Sequence, residues 1–190
     1  MNPAWLAPAW LAPTARAVPW QPLAGVAACL MAVCALALTT GSWPWGVLDI
    51  AAAGLAAAVV AGLHDPAANL LSAVPTSAAR RRARREAMLV PAGVALWLAY
   101  LSVAHVVAPK VGWPVGPAVA LIATGLAVVA WAPERFAIEA GVATPLMWVA
   151  LARAGVVIDE QYSQVVFAFQ HHPWIVTAAA AAALLMGRNR

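Results

Sequence analysis

The side chains able to do chemistry are few, and most of them stand alone. Four histidines, His64, His105, His171 and His172, call for a haem test, because membrane cytochromes place two axial imidazoles inside a helical bundle. No two of them fall at matched depth in the middle of separate apolar runs, so haem and copper ligation are not expected. Cys29 and Cys34 lie five residues apart in one apolar stretch, on different faces of a helix, and match no metal or redox spacing. They read as small hydrophobes. There is no glycine-rich phosphate loop, no nucleophile elbow and no His-Glu-x-x-His zinc motif. The chain is expected to hold no catalytic, cofactor or metal site, and any nucleotide it depends on would be bound by another subunit.

Ionisable residues within the apolar runs are Asp49, Glu139, Arg153 and His105. A charge at the centre of a bilayer costs on the order of 2.5 to 3.5 kcal/mol, so central charges usually serve function. Each of these four, however, lies close to the end of its run. Arg153 can snorkel outward and pair with Asp159 or Glu160. Interfacial or locally paired side chains are the expectation, with no proton relay.

The elements that position these groups follow from composition. Of 190 residues, 64% are hydrophobic and only 9% charged. Mean hydropathy is +0.82. Soluble domains carry about 25% charged residues, which excludes a water-soluble globule, a disordered tail and a nucleic-acid module. What remains is an integral membrane protein. Charge-free or nearly charge-free runs cover Gln21 to Gly41, about Trp45 to Leu63, about Met88 to Val107, Val115 to Trp131, about Phe136 to Ile158, and about Trp174 to Met186. Since about 20 apolar residues cross a bilayer, the expected fold is all-α, a polytopic bundle of six transmembrane helices. Gly41-Ser42-Trp43-Pro44-Trp45-Gly46 reads as a tight turn, and the ten tryptophans fit aromatic belts at the two interfaces. Residues 1–20, with a repeated Ala-Trp-Leu-Ala-Pro, cannot form one long helix. They read either as a segment lying along the interface or as a low-complexity leader.

The charges orient this bundle. Arg16, the cluster Arg80, Arg81, Arg82, Arg84 and Arg85, then Arg135, Arg188 and Arg190 all fall on one side if the spans alternate. Only Lys110 lies in a loop on the other side. The positive-inside rule then makes both termini cytoplasmic.

The most informative stretch joins the second and third runs. Asp65 suits a helix cap and Pro66 its first position, while Pro75 ends the short helix that they open. A second helix then begins near Thr76 or Ser77, carries the arginines and enters the third span. The arginines read in two ways: as topology signals and anchors on lipid headgroups, each worth roughly 1 kcal/mol near an anionic leaflet, or as the clamp of a helix that docks on a cytoplasmic partner. Farther along, Asp159 to Pro173 is apolar in its middle, which predicts an external segment dipping back toward the bilayer.

In order, the chain gives an interfacial segment, two spans, a short cytoplasmic helix, three spans, an external dipping segment and a last span. This resembles the permease subunits of type-II ABC exporters, in the small form found in high-GC bacteria. At the residue level the resemblance rests on His64-Asp65-Pro66-Ala67-Ala68-Asn69-Leu70-Leu71-Ser72-Ala73-Val74-Pro75-Thr76-Ser77 followed by Arg80 to Arg85. It implies a multi-pass subunit of a bacterial plasma membrane, paired with an identical or different permease subunit, and coupled to a cytoplasmic ABC ATPase that holds the ATP and magnesium. The substrate it implies is amphipathic. Asp65, Pro66, Leu70, Leu71 and Pro75 would form the ATPase-docking helix, with Arg80, Arg81, Arg82, Arg84 and Arg85 as its membrane anchor. Two other classes compete: a non-transporting scaffold or accessory subunit, and an electron-transfer subunit using His64 and His105.

Overall fold

The computed structural model describes residues 10–44, 46–65, 78–109, 114–154, 165 and 167–187. Every element among them is helical. In chain order these are α1 (Leu11–Ala17), α2 (Gln21–Thr40), α3 (Val47–Ala61), α4 (Ala78–Val107), α5 (Val115–Trp131), a 3₁₀ turn (Glu134–Phe136), α6 (Ala137–Ala154), the single turn α7 (Ala168–His171) and α8 (Pro173–Gly187). The six longer α-helices coincide with the six apolar runs. Three of them are long and apolar enough to cross a membrane: α2, α4 and α6, the last together with its 3₁₀ turn. Helices α3, α5 and α8 are equally apolar but shorter, at 15 to 17 residues, or about 22 to 26 Å.

Local chemistry accounts for the helix ends. Pro22 occupies the start of α2, where its missing N–H costs nothing. Gly41 ends α2 with φ +64°, a left-handed conformation that side chains with a Cβ resist. In α4, 30 residues give about 45 Å, longer than a hydrocarbon core of about 30 Å.

Two helices form the centre. On α3, Ala51, Ala52, Ala53 and every residue from Leu55 to Val60 are buried. On α5 the buried set runs from Gly116 to Val129 and covers more than one face. A helix apolar all round belongs inside. Helix α6 packs on both of them, α8 lies along α5, and α2 and α4 cover α3. Small residues permit these approaches: a Cβ on Gly141 would stand 2.9 Å from the Gly125 carbonyl oxygen and 2.9 Å from Val60. Close backbone crossing at glycine is the packing expected where lipid rather than water surrounds a bundle.

Helix directions follow from the same contacts. Gly62 meets Leu89 and Gly93 meets Val59, so α3 and α4 are antiparallel. Gly116 meets Pro173 and Gly187 meets Trp131, so α5 and α8 are parallel. One end of the bundle therefore gathers the ends of α3, α5 and α8 with the starts of α4 and α6. The opposite end gathers the starts of α3 and α5 with the ends of α2, α4 and α6. We call these the basic end and the distal end.

Among the described tryptophans, some are exposed at helix ends and others buried. Trp20, Trp131 and Trp174 are exposed at helix ends. Trp43 and Trp97 are buried, with their rings tilted against Tyr100 at centroid distances of 5.4 and 5.3 Å.

Candidate functional site

The residues with most chemistry meet at the basic end, where α3 runs out and α4 begins. After α3 come Gly62, Leu63 and His64, whose carbonyl oxygens lie beyond the last turn of the helix. Arg85, about two turns into α4, turns back to the last two: its Nη1 donates to the His64 carbonyl at 2.7 Å and to the Leu63 carbonyl at 3.3 Å. Its Nη2 lies 3.0 Å from Asp65 Oδ1, and Arg81 Nε lies 3.5 Å from Asp65 Oδ2. Arg81 and Arg85 stand four apart, on one face of α4, which is the spacing that brings both to one carboxylate. Arg85 is only 5% exposed. A guanidinium so enclosed is tolerated because carbonyls and a carboxylate receive its donors.

The five arginines thus do different things. Arg85 is a buried clamp on the end of α3, and Arg81 assists it from a half-buried position. Arg82 reaches along α5, with Nη1 3.5 Å from the Val129 carbonyl. Arg84 lies over the Trp10 ring at 5.9 Å and so ties α1 to α4. Arg80 is exposed. Asp65, read from sequence as a helix cap, has its carboxylate held by the two arginines. The rest of the docking segment, Pro66, Leu70, Leu71 and Pro75, lies outside the described residues, as do Lys110, Asp159, Glu160, Arg188 and Arg190.

A second ion pair sits at the distal end. Arg153, near the end of α6, donates from Nη2 to Asp49 Oδ2 at 3.0 Å and to the Gly46 carbonyl at 2.6 Å. Sequence reasoning sent Arg153 to its own neighbours Asp159 or Glu160. Its partner among the described residues comes from another helix, because α3 and α6 are antiparallel and bring these two positions to one level. The sequence signal was no more than two opposite charges near the ends of the second and fifth apolar runs.

The histidines separate as their positions suggested, His64 at the basic end and His105, His171 and His172 at the distal end. Among the described residues no three His, Cys, Asp or Glu side chains gather as a metal site. An apolar groove of about 430 Å³ opens on the outer face of α6, lined by Ala143, Thr144, Met147, Trp148, Leu151 and Val165. Of the predicted dipping segment, α7 is described, with Phe169 buried edge-on against Trp148 at 5.8 Å.

Comparison with family models, with curated proteins and with solved structures finds no match to this chain.

Proposed function

We propose that this chain is the transmembrane subunit of an ATP-driven exporter of the type-II ABC kind, with α2, α3, α4, α5, α6 and α8 as six spans of a bacterial plasma membrane and both termini cytoplasmic. A separate ABC ATPase binds the ATP and magnesium, and a second permease subunit, identical or different, completes the pathway for an amphipathic substrate. The observation that carries this reading is the clamp of Arg81 and Arg85 on Asp65. It fastens the start of the segment 65–75 to both α3 and α4 at the basic end. A push on that segment by a docked ATPase would be delivered to two spans at once. The alternation of helix directions supports the six-span topology.

The test is purification through a C-terminal tag in mild detergent. A nucleotide-hydrolysing partner in near-equal amount, lost on Leu70→Asp with Leu71→Asp while the chain itself remains folded, is the expected result. Recovery of the chain alone, or with partners that hydrolyse nothing, refutes the exporter reading and makes the chain a membrane scaffold.

A further inference from the structure

Helix α6 carries its bending signals together. Pro145 lies inside it and brings no N–H, so the Gly141 carbonyl lacks the donor that a helix supplies from four residues on. Thr144, beside the proline, donates its hydroxyl to the Ala140 carbonyl at 2.7 Å, a back-bond that often bends helices. These residues sit where three helices cross. A Cβ on Gly125 of α5 would stand 3.0 Å from the Gly141 oxygen and 2.8 Å from Val60 of α3. The Gly141 carbonyl therefore faces the Gly125 backbone across the interface, a weak Cα–H···O contact. Pro145 is fully buried at the same crossing.

On the distal side of this crossing run the nine residues from Leu146 to Ala154, about 14 Å of helix. Val149 and Ala152 are buried, while Leu146, Met147, Ala150 and Leu151 are exposed. In a membrane such apolar contacts exchange readily, because lipid tails are as apolar as the side chains they replace. Lipid tails cannot replace the ion pair at the far end, where Arg153 Nη2 lies 3.0 Å from Asp49 Oδ2 and 2.6 Å from the Gly46 carbonyl oxygen. Both side chains keep part of their exposure, at 44% and 29%, so the pair is weak enough to open thermally. Helix α4 has a proline and a glycine at the same level, Pro91 and Gly93, the latter against Val59. Its distal half is fastened, however, by Trp97 Nε1 donating to the Pro114 carbonyl at 3.2 Å and by Tyr100 against Trp43.

We propose that α6 is a hinged helix: its distal half, 146–154, swings away from α3 about the crossing of Val60, Gly125 and Gly141, with Arg153 and Asp49 as the latch. A change of about 20° at the proline, on a lever of about 14 Å, moves the end of the helix by about 5 Å. The basic end, where Arg85 holds the end of α3 to α4, stays in place. This inference needs only a membrane around the bundle and is independent of the ATPase reading.

Double electron–electron resonance between paired nitroxides reads the motion, with the full chain in phosphatidylcholine nanodiscs and Cys29 and Cys34 replaced by alanine. One pair, Ile50→Cys with Leu151→Cys, spans the distal ends of α3 and α6. A second, His64→Cys with Glu139→Cys, spans their basic ends, and all four side chains are exposed. The distal pair is expected to show two populations separated by about 5 Å, the lever displacement worked above. The longer one grows by roughly two- to five-fold in Asp49→Asn, and equally in Arg153→Gln, as the loss of a partly exposed ion pair allows. The basic pair keeps one distance throughout. Pro145→Ala, which returns a donor to the Gly141 carbonyl, abolishes the longer population. Should its melting temperature show that Pro145→Ala has lost its fold, the latch variants decide alone. A distal distribution unchanged by both latch variants overturns the proposal. So does a longer population that persists in folded Pro145→Ala, or a parallel broadening at the basic pair, which marks general loosening.

Discussion

Removing the clamp between α3 and α4 should reveal a buried, coupled interaction. The perturbation is a pair of single changes, Asp65→Asn and Arg85→Met, with their double. The Arg85–Asp65 ion pair at 3.0 Å has a gross attraction of roughly 5 kcal/mol at an effective dielectric of 20, most of which offsets the desolvation of the guanidinium. Breaking a fully buried pair by removing one partner costs about 3 to 5 kcal/mol. Here the Asp65 side chain keeps 18% of its exposure, so we predict about 2 to 3 kcal/mol for Asp65→Asn. Arg85→Met strands no charge, since Arg81 still faces Asp65, but it leaves the Leu63 and His64 carbonyls without their donor. Charged hydrogen bonds of that kind are worth about 1.5 to 3 kcal/mol. The double variant should lose less than the two singles combined, with a coupling of about 1 to 2 kcal/mol. Reversible unfolding in mixed micelles by increasing sodium dodecyl sulfate, followed by circular dichroism, measures all four corners of the cycle. Additivity within about 0.5 kcal/mol would refute the reasoning, as would an equal loss in Arg80→Gln, whose exposed side chain predicts less than about 0.5 kcal/mol.

Four further outcomes are expected in the same assay. Gly141→Ala should cost about 1 to 3 kcal/mol, because its Cβ would meet the Gly125 carbonyl and Val60 at 2.9 Å. Gly25→Ala, with nothing within 4 Å, should be neutral or stabilising by up to about 1 kcal/mol. Tyr100→Phe should raise stability by up to about 1 kcal/mol, since the Tyr100 hydroxyl is buried without a hydrogen-bond partner among the described residues; a loss of that size would show that the hydroxyl is bonded. Asp49→Asn and Arg153→Gln should each cost no more than about 1 kcal/mol, and less in 1 M salt, because the pair is partly exposed.

Helix positions were legible in the sequence because apolarity over 15 to 20 residues reports the element directly. The run Val115 to Trp131 and the helix α5 have the same bounds, and α2 stops where Gly41 permits the chain to turn. Helix partners were not legible. The inward turn of Arg85 depends on where α3 ends relative to the second turn of α4, and the basic run around it reads only as an interfacial cluster. Arg153 finds Asp49 across 104 residues of chain, a relation set by which helices lie side by side. Trp43 fits a belt by composition, yet the turn after Gly41 folds it under α4 onto Tyr100. In each case the residue type restricts depth in the membrane, while packing decides the neighbour.

The two central helices are both short and enclosed, whereas α8, as short as α3, leaves Trp174, Ile175, Leu185 and Met186 exposed. Helices α3 and α5, at about 22 and 26 Å, fall short of a hydrocarbon core of about 30 Å. Exposed to lipid on all sides, each would leave terminal backbone groups in a medium that cannot hydrogen-bond them. Enclosed by α2, α4 and α6 around α3, and by α3, α6 and α8 around α5, they meet protein instead. Beyond the end of α3, the Leu63 and His64 carbonyls are reached by Arg85 from the first turns of α4. The extension of α4 before Met88, which carries the five arginines, is therefore also the feature that reaches the end of the short central helix α3. Truncating α4 before Arg85 should remove both the basic surface and the stability of α3, a joint loss that a purely topological role for the arginines does not predict.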